Sequence, residues 1–215
     1  SHFHPDHSRF CDSVHPSIPI YMSEGSQRII GALGIFLGRN RGHVKTVTLR
    51  TRPKTSYRIG DFEVVPILVD HSAPDSLAFV IRAEGKTLVY TGDVRAHGRK
   101  AKMFEACVRT CPRQPDVLLM EGTMVGSHRA DRVARSEKDI EEQLVELIAK
   151  NSKWPLLANF SPTNFDRLIS FLNACIRTKV ELVVDLFTAY LYDEMREMGI
   201  HIPDVRRKPF RVLYF

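Results

Sequence analysis

The chain has 215 residues, 43% of them hydrophobic, enough for one or two domains with a sizeable core, since domains commonly run ~100–200 residues. Its formal charge of +6, from 31 Lys and Arg against 25 Asp and Glu, is compatible with an anionic partner without demanding one. No apolar run approaches the ~20 residues of a membrane span and no charged-then-apolar leader opens the chain, so no membrane partner is expected. Cys11, Cys107, Cys111 and Cys175 show neither metal-ligand pairing nor a dense disulfide pattern, which fits a reducing cytoplasm.

The first eight residues place three imidazoles and one carboxylate within positions 2–7: His2, His4, Asp6 and His7. Imidazole nitrogens and carboxylate oxygens are the ligands that Zn²⁺ and similar ions accept. His2 and His4 share one side of an extended segment, because side chains two apart share a face. Asp6 and His7 follow Pro5, which bends the path, so they point elsewhere. The run therefore suits two neighbouring ions better than one.

Beyond it, strand and helix patterns alternate. Residues 18–22 predict a short buried strand, 24–37 a helix stopped at Gly38, and 44–50 the next strand. Two hairpins follow: 57–59 with 62–69 around Gly60-Asp61, and 77–83 with 87–91 around Glu84-Gly85. His71 lies just past the first hairpin's long strand and Asp93 just past the second's. Strand ends are where α/β sites are usually built, because strands fix the backbone and loops present side chains. Arg95, Arg99, Lys100 and Lys102 crowd the segment after Asp93, and Cys107 and Cys111 share a helix face. A continuous apolar strand over 116–120 ends at Glu121-Gly122-Thr123.

From 125 onward the organisation changes. Residues 127–135 read as a polar, basic, mobile connection, and Ser136 with Asp139 as a helix start running to Lys150. Then come a strand over 156–160, a helix over 164–177, a strand over 180–186, a helix over 189–198 and a strand over 210–215. Such alternation implies a parallel sheet with crossover helices. Arg206-Arg207-Lys208 reads as a solvated loop, and His15, His43, His97, His128 and His201 as surface or packing residues.

The pattern His-x-His-x-Asp-His at 2–7 resembles the signature of the metallo-β-lactamase fold hydrolases. The resemblance implies that His2 and His4 bind one metal, together with His71 from the His-Ser-x-x-Asp-Ser position. Asp6 and His7 then bind a second metal, and Asp93, in Thr-Gly-Asp, bridges the two. Glu121-Gly122-Thr123 is similar to a motif of the β-CASP branch, the nucleic-acid-processing group that includes ribonuclease J-like enzymes. There its implied role is to hydrogen-bond and orient a metal-ligand histidine. Asn159-Phe160-Ser161-Pro162 and Asp166-Arg167-Leu168 also resemble that group's inserted domain. The expected fold is α/β: a partial metallo-β-lactamase αββα sandwich over 1–124, lacking its N-terminal half, then an incomplete βαβ insert with a parallel sheet over 125–215. The chain is accordingly expected to be an internal fragment, with upstream strands and later histidines lying outside it.

The function this implies is a two-metal phosphodiesterase, a ribonuclease-type exo- or endonuclease. Two ions ~3.5–4 Å apart would share a water and lower its pKa, with Asp6 orienting the resulting hydroxide. Zn²⁺ leads among the cofactors, and Mn²⁺ or Fe²⁺ also suit mixed imidazole and carboxylate sites. Arg99 and Lys100 are expected to neutralise substrate phosphate, which points to nucleic acid, RNA ahead of DNA. A hydrolase of a small ester, thioester or lactam and a non-catalytic RNA-binding module are the alternatives.

Overall fold

The computed structural model describes residues 1–38, 44–52, 55–125, 134–151 and 153–214. The chain opens with a single helical turn, α1 (Pro5–Ser8), whose proline stands at the start, where its missing N–H costs nothing. The amides of His7 and Ser8 both donate to His4 O, at 2.9 and 3.0 Å. A short 3-10 helix, Arg9–Ser13, leads to β1 (Ile20–Ser23), α2 (Glu24–Phe36) and β2 (Thr46–Leu49). Ser23 caps α2 by accepting from the Ser26 amide, and Asp75 Oδ2 takes the Gly25 amide at 2.7 Å. The expected stop lies where the sequence put it: Leu37 ends the helix and Gly38 turns away at φ 62°. β1 and β2 pair in parallel, with α2 between them in the chain.

A five-stranded sheet follows, in the order β3 (Tyr57–Ile59), β4 (Phe62–Leu68), β5 (Leu77–Ala83), β6 (Lys86–Tyr90), β7 (Val117–Leu119). The first four strands are antiparallel, and β7 joins β6 in parallel. Both expected hairpins form. Glu84 and Gly85 take φ 49° and 71°, the left-handed pair that a two-residue turn needs to follow the strand twist. The helix α3 (Ala101–Thr110) lies on this sheet, with Cys107 buried among Ile67, Val69, Ala78, Val80 and Val89.

The remaining elements are α4 (Glu137–Lys150), α5 (Phe165–Thr178), β8 (Leu182–Asp185), α6 (Leu186–Glu197) and β9 (Phe210–Leu213). The expected start of α4 is a full capping box between Ser136 and Asp139. β8 and β9 pair in parallel across α6, a βαβ unit. The whole is an α/β fold with mixed sheets. One core cluster joins Phe3, Ile29, Ala32 and Ala73 to Phe165, Leu191 and Met195, so α5 and α6 pack against the segment that carries the first histidines. Each large apolar side chain buried there contributes about 1.5–3 kcal/mol relative to exposure.

The structure differs from the sequence expectation in two places. Residues 156–160 form no strand. Leu156 and Leu157 are exposed, Leu157 almost completely, and Phe160 stacks on Phe171 at 4.7 Å. An apolar run alone does not make a strand where no neighbouring strand offers a ladder. The helix expected from 189 starts at Leu186, because Asp185 accepts the Thr188 amide at 2.7 Å and caps it three residues earlier. Most of the expected connection over 127–135, together with His43, His128 and the end of the last strand at Phe215, lies outside the described residues. No helix among the described residues is long and apolar enough to cross a membrane.

Candidate metal centre

The opening residues are pinned before they can present ligands. The Leu77 amide donates to Ser1 O at 3.0 Å, Phe3 is buried in the core, and Ser8 Oγ donates to Phe3 O at 2.7 Å. With alternate residues fixed, His2 and His4 turn their rings together. His2 Nε2 lies 2.8 Å from His4 Nδ1, and His71, delivered by the loop after β4, brings Nε2 to 3.2 Å from the same His4 nitrogen. Asp93 enters from the end of β6. The residue before it, Gly92, has φ 56°, and a Cβ there would lie 2.6 Å from Ser1 Cβ and 3.2 Å from Leu77 O. Only glycine lets this turn pass so close to the N-terminal segment.

The carboxylate of Asp93 faces two ways. Oδ2 lies 3.8 Å from His2 Nε2 and 3.7 Å from His71 Nε2, whereas Oδ1 lies 3.1 Å from His7 Nε2, which in turn is 3.5 Å from Asp6 Oδ2. Two groups result, His2 with His4, His71 and Asp93, and Asp6 with His7 and Asp93, each with its ligand atoms within 4.8 Å of one another. Ser1, which no residue pattern singled out, sets Oγ 3.0 Å from His2 Nδ1 and 3.1 Å from His7 Nδ1. That contact holds both rings from behind and leaves their Nε2 atoms facing inward.

The donor set suits a divalent cation. Burial, reinforced by the neighbouring histidines, pushes His2 down to about 2. Burial, then His4, Arg95 and Lys100, push His71 down to about 3. His4 is lowered by burial too, against the pull of Asp6 and Asp93. Three imidazoles that stay neutral and crowd their nitrogens within hydrogen-bond distance are poor partners for one another, since at most one proton fits between each facing pair. They are good ligands for a shared cation. The residues therefore fit divalent metal ions in number, chemistry and protonation.

Other expected site residues lie close by but touch different things. The Thr91 amide donates to Leu119 O at 3.0 Å, extending the β6–β7 pairing, and this carries Glu121 beside the Asp93 loop. There its Oε1 accepts the Val94 amide at 2.5 Å. The contact expected with a histidine ring is thus made with the backbone next to Asp93. Arg99 and Lys100, expected to face substrate, face protein oxygens. Arg99 Nη2 donates to Glu141 at 2.7 Å and to Ser170 at 2.9 Å. Lys100 Nζ donates to His71 O at 3.0 Å and to Asp166 at 3.4 Å. Their side-chain partners Glu141, Asp166 and Ser170 stand 42 to 71 residues further along the chain and His71 stands 29 residues back, all beyond what local pattern can reveal. His15 and His201 are exposed, and His97 lends its carbonyl oxygen to the Glu137 amide at 3.1 Å.

A mixed α/β fold thus gathers a histidine and aspartate cluster whose donors could hold divalent metal ions. Residues 1–151 match the family model described as beta-lactamase superfamily domain, and the chain belongs to that superfamily. The fold is also that of a crystal structure of a protein of unknown function from Enterococcus faecalis V583, with a TM-score of 0.77 and 23% identity over 94% of this chain. The chain spans about half that protein's length, 49%. The metallo-beta-lactamase fold protein YhfI from Bacillus subtilis matches over 43% of this chain and 38% of its own, at 23% identity and a TM-score of 0.33, too low to carry an argument. No curated protein matches the chain.

Proposed function

We propose that the chain contributes the metal centre of a two-metal phosphodiesterase of the β-CASP kind, with residues 1–124 as the hydrolase portion and 125–215 as its α/β insert. The observation that carries this reading is the division of Asp93, one oxygen towards His2 and His71 and the other towards His7. Support for the β-CASP branch comes from the Glu121-Gly122-Thr123 motif and from the βαβ unit that follows it in the chain.

In this reading His2, His4, His71 and Asp93 hold one ion, and Asp6, His7 and Asp93 the other. Divalent ions bound there supply Lewis acidity and a water of lowered pKa. The protein's own share is mostly preorganisation. Ser1 fixes two rings, and Glu121 holds the Val94 amide so that the Asp93 backbone cannot swing. Asp6, with its side chain 72% exposed, is open to solvent, where it accepts a hydrogen bond from an incoming water and orients it. Arg99 and Lys100, occupied by Glu141, Asp166 and His71 O, act on an anionic substrate through their field and not by direct contact. RNA is the preferred substrate, in keeping with the net positive charge. A cytoplasmic setting belongs to this reading, in keeping with a cysteine spacing that shows no dense disulfide pattern.

The test is hydrolysis of single-stranded RNA by the full-length protein with added Zn²⁺ or Mn²⁺. Activity is expected to vanish in His4→Ala and in Asp93→Ala, and cleavage surviving either change overturns the assignment. A second reading, a hydrolase of a small ester, thioester or lactam, is favoured by the pairing of Arg99 and Lys100 with protein oxygens. A chromogenic ester or lactam turned over in preference to RNA would establish it.

A further inference from the structure

We propose that Asp166 is a positioning residue for the metal centre: from the first turn of α5 it holds in register the two loops that deliver His71 and Asp93. The inference rests on the reading of His2, His4, His71 and Asp93 as metal ligands.

Asp166 is buried and sits at the second position of a fourteen-residue helix capped by Asn164, where a carboxylate suits the helix dipole. Its carboxylate pairs closely with Arg95 Nη2, accepts the Arg99 amide at 3.0 Å and lies 3.4 Å from Lys100 Nζ. Its carbonyl oxygen takes Arg99 Nε at 3.3 Å. All four donor groups belong to Arg95, Arg99 and Lys100, in the segment that starts two residues past Asp93. The same helix end reaches the other ligand loop, since the Phe165 amide donates to Ser72 O at 3.2 Å. Lys100 then ties the two loops together by donating to His71 O at 3.0 Å while it faces Asp166.

The opposite side of this knot is Asp70, fully buried. It accepts the Gly98 amide at 2.7 Å and the Lys100 amide at 3.3 Å, and its carbonyl takes the Arg95 amide at 2.9 Å. Arg95 Nε, buried and without a hydrogen-bond partner among the described residues, lies 3.7 Å from Asp70 Oδ1. Two cations, Arg95 and Lys100, are thus held largely out of water between two carboxylates. Neutralising Asp166 leaves them facing each other beside His71 with one compensating charge in place of two. Uncompensated charge at a buried site is costly, and the loop can relieve it by moving outward, which carries His71 and Asp93 off their shared position.

The experiment uses Co²⁺ as the probe, because its visible spectrum reports ligand geometry without any need for turnover. In the full chain, Asp166→Asn keeps the side-chain shape and removes the charge. It is expected to lose ten- to a hundredfold in Co²⁺ affinity, the usual cost of removing a group that orients a metal ligand, and to shift the d–d bands. Leu172→Ala, which empties part of the cluster formed with Tyr192, Val205 and Phe210, perturbs α5 without touching either loop and should keep both affinity and spectrum. Lys100→Gln cuts the same tie from the other side and should reproduce the spectral shift, which covers the case in which Asp166→Asn does not fold. Wild-type spectrum and affinity in a folded Asp166→Asn or Lys100→Gln overturn the proposal while leaving the metal assignment intact. Failure of the unaltered chain to bind Co²⁺ overturns both.

Discussion

The helix α2 carries two glycines whose replacement by alanine should act in opposite directions. At Gly25 a Cβ would lie 2.6 Å from Asp75 Oδ1, 2.8 Å from its Cγ and 2.6 Å from Met198 Cε. The methionine end can swing aside. The carboxylate cannot, because Asp75 Oδ2 is bound to the Gly25 amide at 2.7 Å and withdrawal forfeits that bond. Losing the cap costs about 1–2 kcal/mol, and the residual overpacking about 1–3 kcal/mol. Against this, alanine gains about 1 kcal/mol over glycine in a helix. The net is a destabilisation of about 2 kcal/mol. At Gly31, on the exposed face of the same helix, a Cβ meets nothing within 4 Å, so only the gain of up to about 1 kcal/mol remains. Urea unfolding followed by circular dichroism should show the Gly25→Ala midpoint lower by about 1 M, for a slope of about 2 kcal/mol/M, and the Gly31→Ala midpoint slightly raised. A Gly25→Ala protein as stable as the parent would refute the close approach of Asp75 to the helix end.

Other consequences can be measured alongside. His2 and His71 are held near 2 and 3 against an ordinary value of about 6.5, so below pH 6.5 the unfolded chain binds protons that the folded chain refuses. Stability of the metal-free protein is therefore greatest above that pH and falls with acidification, by about 2.5 kcal/mol for the pair between pH 7 and 5.5; a His2→Gln, His71→Gln double variant with an unchanged pH slope would contradict this. Burial opposes ionisation of Glu137, but its hydrogen bonds from Arg167 and Ser170 outweigh burial and lower its pKa. Glu137→Gln should thus cost about 1.5–3 kcal/mol at pH 7, and the gap to the parent should close as pH drops below about 4.3; a gap independent of pH would exclude the ion pair as its cause. Ser136→Ala removes the capping box of α4 and should cost about 1 kcal/mol, read as a lower unfolding midpoint; no change would mean that the Asp139 side chain suffices alone.

Local chemistry was the part most open to reading. The hairpins at Gly60-Asp61 and Glu84-Gly85, the stop at Gly38 and the start at Ser136 each depend on residues within four positions, and each forms close to where the pattern puts it. The grouping of His2 with His4 and of Asp6 with His7 was visible for a similar reason, since a bend at Pro5 separates the pairs. What escaped was set at long range. Arg99 and Lys100 look like free cations until α4 brings Glu141 to Arg99 and α5 brings Asp166 to Lys100, and Glu121 finds the Val94 amide through strand pairing and not through any local signal. Residues 156–160 failed for the converse reason, because a strand requires a partner that five residues cannot announce. Ser1 carried no signal beyond adjacency to His2, and its contact with His7 exists only because the chain folds back through α1.

The last strand of the main sheet bears on how this polypeptide behaves in a tube. Val117, Leu118 and Leu119 of β7 are each about half exposed, and Met120 beyond them is 67% exposed. Among the described residues β7 ends the sheet order, with β6 on one side only. An apolar, uncharged strand with one edge unpaired is a template for another strand. At the concentrations used for spectroscopy, self-association of the polypeptide should begin there. A lysine or glutamate at Leu118 should keep it monodisperse, where the same charge placed at Leu157, exposed but outside any sheet, should not.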